Sequence, residues 1–336
     1  MDQNYSAAKH NRLNLTLKPV FIGELLFIQT LTEPAYAYEN GKFKKVIAPR
    51  EGITSDFVRE YAQSYSSDIF LHDEDYDSLR KLLNKELTKQ TRSLSIGDAT
   101  KNATRQVNLL SMQMSNLYKN PFDDELLTSQ FQNTKNLSSL LLNNKGIQKN
   151  IYNVLSNSKY HYTHTQPLLS SIMLLSFMQE TRLFSEKEME GLFLTSYFKD
   201  IGMSFIPREK FEQSHLNDFD KKLFAEHAEN SMKILEGRVP LSNTQLNLIK
   251  NHHFLNHKIQ SLVNNKDFQY PDEFLAGLES NLVSALDILV AMTHDRPYRD
   301  SVSIFQSLEV LKSVLSDEYP QEFKALVIFL KNFTSK

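Results

Sequence analysis

Residues 1–17 are mostly polar and show no period, which predicts a polar tail. Over residues 18–97 short apolar runs alternate with turn signals. Runs at 25–28, 35–38 and 43–47 read as strands, the last two flanking Glu39-Asn40-Gly41, a hairpin signal with a glycine free to take positive φ. Ser55 opens a helix-like stretch to Ser64, and residues 68–71 form a fourth strand candidate. Tyr76, Leu79, Leu82 and Leu83 then recur at helical spacing over 73–87. A small α+β module is expected.

Residues 98–145 read as connecting helices, with Val107, Leu110, Met114 and Leu117 three or four apart and a turn at Asn120-Pro121. From 146 to 336 the punctuation is helical throughout. Ser185 and Glu188 make a capping box and Gly202 a stop, which places Asp200 in a last turn. A helix from about Asp218 to Gly237 sets Leu223, His227 and Ile234 on one inward face. Ser242 and Gln245 make a second capping box, with His252 and His253 at that helix's C-terminal end. Ser280 caps a helix whose apolar stripe includes Asp287, and further helices start near Asp300 and Pro320. The fold class is mainly α: an all-helical C-terminal bundle with a small N-terminal α+β module.

Composition narrows the class. The 336 residues are 40% hydrophobic and 23% charged, with 9 Gly and 10 Pro, which excludes fibrous and disordered chains. A net charge of −2 leaves no basic footprint for nucleic acid. The most hydrophobic run, residues 168–178, is short of the ~20 residues that span a bilayer. The first 15 residues lack a signal peptide's apolar segment. A cytoplasmic protein without membrane association is expected. With no cysteine, disulfides and zinc ribbons are excluded.

Eight of the ten histidines fall between His161 and Arg299. Within that stretch His164, Asp200, His227, the pair His252-His253 and Asp287 follow one another at intervals of about one helix plus one loop. Such spacing suggests one donor per helix, and imidazole with carboxylate is what a divalent transition ion takes when no thiolate exists. An acid on a core stripe also needs a partner, because an unpaired buried charge is costly. His161 could replace His164 as the first donor; His215, His257 and His294 read as surface residues. The N-terminal module has no Gly-rich phosphate loop and no nucleophile constellation.

Taken together these segments resemble an HD-GYP domain, the family of metal-dependent cyclic-di-GMP phosphodiesterases within the HD hydrolase superfamily. The run from Tyr197 through Lys199-Asp200-Ile201-Gly202 to Pro207 is similar to the family's L-L-H-D-I-G-K-I-G-I-P. Glu226-His227-Ala228-Glu229 and His252-His253 resemble its following histidine segments. Asp287 with Thr293-His294-Asp295-Arg296-Pro297-Tyr298-Arg299 resembles D-x-x-x-A-L-T-S-D-R-P-Y-R. Departures mark a degenerate member. Lys199 stands for the histidine of the HD pair, Met203 for a lysine and Phe254 for a glutamate. Tyr270-Pro271 is what remains of the G-Y-P signature, and Tyr160 stands where some members carry a glutamate ligand.

The resemblance implies metal ligands at His164, Asp200, His227, His252, His253 and Asp287, with Asp200 bridging two ions and catalytic. It implies two, or three, divalent ions, iron favoured over manganese or zinc. Arg296 and Arg299 match phosphate-holding positions. Lys199, whose ammonium has no lone pair, is read as a phosphate contact or as a salt bridge to the bridging carboxylate, with a structural lysine as the plain alternative. Two ions about 3.5–4 Å apart would lower the pKa of a shared water and clamp both oxygens of an in-line phosphoryl displacement. The expected activity is weak hydrolysis of cyclic-di-GMP. The rival is a metal-binding pseudoenzyme that receives a cyclic dinucleotide or docks a protein partner through its N-terminal module; a metal-free structural helical protein stands third.

Overall fold

The computed structural model describes residues 17–65, 68–158, 160–271, 274–275 and 277–334. Apart from Leu17, the expected polar tail lies outside the described residues. The chain divides into two compact units, Met1–Gln90 and Thr91–Lys336.

In the first unit, β1 (Leu17–Phe21), β2 (Ala35–Glu39), β3 (Lys42–Ile47) and β4 (Asp68–His72) form an antiparallel sheet in the order β1-β4-β2-β3. Helices α1 (Ser55–Ser64) and α2 (Asp73–Arg92) accompany it. Asn40 (φ 49°) and Gly41 (φ 77°) both take positive φ, as a tight hairpin turn with the strands' own twist requires. Ala35, Ala37, Ile69 and Leu71 are buried while Tyr36, Tyr38 and Phe70 on the other face are less so, the alternation of a half-buried sheet. The run at 25–28 is not a strand. A 3₁₀ turn, Ile22–Phe27, occupies it, burying Leu25 and exposing Leu26, and the strand lies earlier, at β1. The buried Asp75 carboxylate accepts from the Thr32 and Glu33 backbone N–H groups (2.9 Å each) and from the Thr32 hydroxyl (2.9 Å), pinning the loop before β2.

The second unit begins with α3 (Ala99–Lys119) and α4 (Asp124–Asn143), capped by Asp98 and Asp123. The residues read as connecting helices thus lie inside the helical unit. After α5 (Gln148–Ser156) comes α6 (Tyr162–Thr181), buried nearly all round, which makes it the bundle's central element. It packs on α3, α5 and α7 (Glu186–Phe198), and on the later α13 (Leu278–Thr293) and α15 (Pro320–Thr334). A 3₁₀ turn (Ile201–Phe205) and the short α8 (Arg208–Phe211) follow α7. The expected helix from 218 to 237 breaks at Glu226 into α9 (Asp218–Ala225) and α10 (His227–Leu235). Then come α11 (Asn243–Lys250), α12 (Phe254–Val263) and, after α13, α14 (Ile304–Leu315). Both expected capping boxes form, and Gly277, rather than Ser280, is the N-cap of α13, with Ser280 returning to it. Among the described residues no helix is long and apolar enough to cross a membrane.

Pro167 lies inside α6 and has no N–H to offer the Thr163 carbonyl four residues earlier. That carbonyl lies 3.2 Å from the Tyr118 hydroxyl at the end of α3, which also reaches the Asp200 carbonyl at 3.0 Å. One phenol therefore ties three chain segments together beside the histidine-rich region. Asp75→Ala should strip the loop at Thr32 and Glu33 of its acceptor and lower stability by about 1–3 kcal/mol, read as a lower urea midpoint.

Candidate metal centre

Asp200, His227, His252 and His253 converge: one donor atom from each lies within 4.8 Å of all the others. None sits mid-helix on an apolar stripe. Asp200 is the N-cap of the 3₁₀ turn after α7, His227 is the first residue of α10, and His252 lies in the turn beyond α11. His253 is the N-cap of α12.

Close backbone approach makes this possible. A Cβ on Gly202 would stand 2.0 Å from the His227 carbonyl oxygen and 2.5 Å from the Ser231 nitrogen, so only glycine lets the 3₁₀ turn lie on α10. Gly202 is a contact point between segments rather than the helix stop expected of it. The Ser231 hydroxyl completes the junction, accepting from Gly202 N–H (2.8 Å) and donating to the Lys199 carbonyl (2.7 Å).

Two imidazoles are fixed in one tautomer. His227 Nδ1–H donates to the Phe224 carbonyl (2.5 Å) and His252 Nδ1–H to the Ile249 carbonyl (2.6 Å), so in the neutral rings each Nε2 carries a bare lone pair. These two Nε2 atoms face each other at 3.2 Å, and each lies 3.2 Å from Asp200 Oδ1. His253 Nε2 is 3.1 Å from His227 Nε2. Facing lone pairs repel unless a cation lies between them. Donors in a tetrahedral site with bonds of about 2.0 Å stand about 3.3 Å apart, close to the spacing here. The donor set fits one divalent transition ion.

The other Asp200 oxygen, Oδ2, binds the Lys199 ammonium, which also lies 2.7 Å from Asp287 Oδ1. Lys199 is fully buried, at 0% exposure. Burial favours the neutral amine, but the charges of Asp200 and Asp287 outweigh it and hold the ammonium above its ordinary range. For Asp200 burial again opposes the charged form. The Lys199 charge nevertheless pulls it well below the usual carboxylate range. His253 is pushed well below the usual imidazole value by burial and by its neighbours His252 and His227, leaving it neutral, the form that can ligate.

Not all expected residues join the donors. His164 is half-buried against Tyr118, edge to face at 5.4 Å, and lines a separate cavity of about 400 Å³. Its alternative, His161, is the N-cap of α6, held by Thr163 and paired with Glu212 at 3.2 Å. Asp287 is engaged by Lys199 and by Gln166 (3.1 Å), with its Oδ2 4.0 Å from His253 Nδ1. Lys199, read as a phosphate contact or as a salt bridge to the carboxylate, makes the salt bridge: it is turned inward between Asp200 and Asp287.

Beside the donors opens a cavity of about 340 Å³ lined by Asp200, His253, Asp287, Arg296 and Arg299, with Ile259, Ile288, Met292 and Val310 as apolar wall. Arg296 is held by Gln166 and Tyr298 (2.8 Å) and lies 5.0 Å from the centre of the Tyr162 ring. Gln166 and Tyr118 escape a search for metal donors and charged side chains. Pro167, by freeing the Thr163 carbonyl, was the available signal for Tyr118.

No protein-family model and no curated protein matches the sequence. Among solved structures, Bd1817, a HDG"Y"P protein from Bdellovibrio bacteriovorus, superposes with a TM-score of 0.64 at 14% identity, covering 94% of this chain and 99% of that one. The chain therefore has an HD-GYP-like fold.

Gly202→Ala should push the 3₁₀ turn off α10 and both lower the melting temperature and weaken metal retention, measured by thermal unfolding and metal analysis. Because folding holds His253 neutral, unfolding takes up a proton as pH falls below about 6.5. In chelator-treated protein, stability should be fully present above that pH and decline below it, and His253→Gln should reduce the decline in urea titrations across pH 8 to 5.

Proposed function

We propose that the chain is a metal-dependent phosphodiester hydrolase of nucleotide signalling that acts, weakly, on cyclic-di-GMP or a related nucleotide. The observation that carries this is the convergence of imidazole nitrogens and one carboxylate oxygen beside a cavity that also holds two arginines. Its volume of about 340 Å³ lies within the ~300–1,000 Å³ of small-molecule sites.

Asp200, His227, His252 and His253 would hold the ion, with iron, manganese or zinc compatible with imidazole and carboxylate. When bound, such an ion supplies Lewis acidity that lowers the pKa of water and polarises a phosphoryl oxygen. Arg296, braced by Gln166 and Tyr298, presents its guanidinium to a phosphate, a match of planar donors to oxygens. Arg299, more exposed, adds a second cation at the rim. The apolar wall takes the face of a sugar or base and keeps water from the reacting side. Met203 puts a thioether on the cavity where a cation would help, and the loss of one such contact typically costs about 10²–10³ in rate.

One observation favours a second reading, a receptor that binds the nucleotide without turning it over. Lys199 occupies both Asp200 Oδ2 and Asp287 Oδ1, so neither oxygen is free to take a proton from attacking water. The first unit would then dock a protein partner. Incubation with cyclic-di-GMP and Fe²⁺ or Mn²⁺ should give linear dinucleotide or GMP that disappears in Asp200→Ala. Nucleotide binding in calorimetry without product would select the receptor, and neither binding nor product would remove both readings.

A further inference from the structure

We infer that the Lys199 ammonium takes the place of a second divalent cation, so that the centre is built for a single metal ion on Asp200, His227, His252 and His253. The inference rests on the metal-centre reading above and concerns how many ions that centre accepts.

Asp200 bridges two positions, but they differ in kind. Its Oδ1 faces the bare nitrogens of His227 and His252, both at 3.2 Å, and its Oδ2 faces the ammonium. On the far side of that ammonium lies Asp287 Oδ1, at 2.7 Å. A cation held between two carboxylates is the arrangement a second metal would need, and here a side chain of the protein supplies it. The same Asp287 oxygen also accepts from Gln166 Nε2 at 3.1 Å, which leaves it little capacity for a further ligand bond. His164, which could have completed a second donor set, lies against Tyr118 and outside the converging group.

Lys199 cannot readily withdraw. It is fully buried, its backbone N–H donates to Thr195 (3.0 Å) and its carbonyl accepts from Ser231 (2.7 Å). Charge points the same way. Asp200, Asp287 and Lys199 together carry one net negative charge, and one divalent ion turns that into one net positive charge. A second would add two further charges within reach of a fixed ammonium.

Metal content of the full chain, purified anaerobically and dialysed against excess Mn²⁺, tests this, with elemental analysis giving ions per chain and electron paramagnetic resonance distinguishing isolated from coupled Mn²⁺. The wild type should hold one ion with an isolated-ion spectrum. Lys199→His, which puts a lone pair between the two carboxylates, should hold two with a coupled spectrum. Two ions in the wild type, or one in a folded Lys199→His, would overturn the inference while leaving the metal centre standing. No ion in the wild type would overturn the centre itself. Should Lys199→His not fold, Asp287→Asn decides: retention of the wild-type ion fits an aspartate that holds lysine and no metal, and its loss makes Asp287 a metal ligand and overturns the inference.

Discussion

The Asp200 carboxylate, shared between an ammonium on one oxygen and two imidazoles on the other, is the constraint around which the helical unit is arranged. A buried carboxylate left unpaired would be strongly destabilising, and so would a buried ammonium. The charges are paired only where the end of α7 meets α13, and α10 with the turn after α11 brings the imidazoles to the remaining oxygen. That requirement accounts for Gly202, where any side chain would keep two segments apart, and for Ser231, whose hydroxyl bonds to both sides of the junction. It also accounts for Tyr118, which stays protonated through burial and the nearby Asp200 charge and so remains a donor to main-chain carbonyls.

The placing of donors at helix ends has electrostatic content. His227 begins α10 and His253 caps α12, so both rings sit beside the partial positive charge of a helix N-terminus. A neutral ring with one nitrogen bound to a carbonyl presents the other as a ligand, which the middle of a helix, with its carbonyls already taken, could not arrange as easily. The break at Glu226, invisible as a change of hydrophobic period, is what turns a helical histidine into a helix-initiating one.

Much of this was legible in the sequence where local chemistry decides the structure. The Asn40-Gly41 turn and the boxes at Ser185 and Ser242 were readable because each depends on nearby residues; the histidines at 227, 252 and 253 stood out by spacing alone, and their meeting with Asp200 is a matter of tertiary distances. The 3₁₀ turn at Ile22–Phe27 was not, since a short apolar run carries no period long enough to separate strand from helix. Lys199 could be recognised as anomalous, but its direction could not. Whether a lysine faces a substrate or two acids depends on tertiary distances, and those to Asp200 and Asp287 settle it. His164 shows the complementary case: its spacing suited a donor, and its turn of α6 faces Tyr118, apart from the converging group.

Gln166 stands between opposite charges, its amide nitrogen on Asp287 and its oxygen on Arg296. Both ends of the amide are engaged, so it cannot rotate without setting like poles together. Without such a spacer, guanidinium and carboxylate would be drawn into a direct pair across the cavity mouth. An uncharged side chain thus acts as an insulator, keeping guanidinium and carboxylate apart and the hollow beside the histidines open.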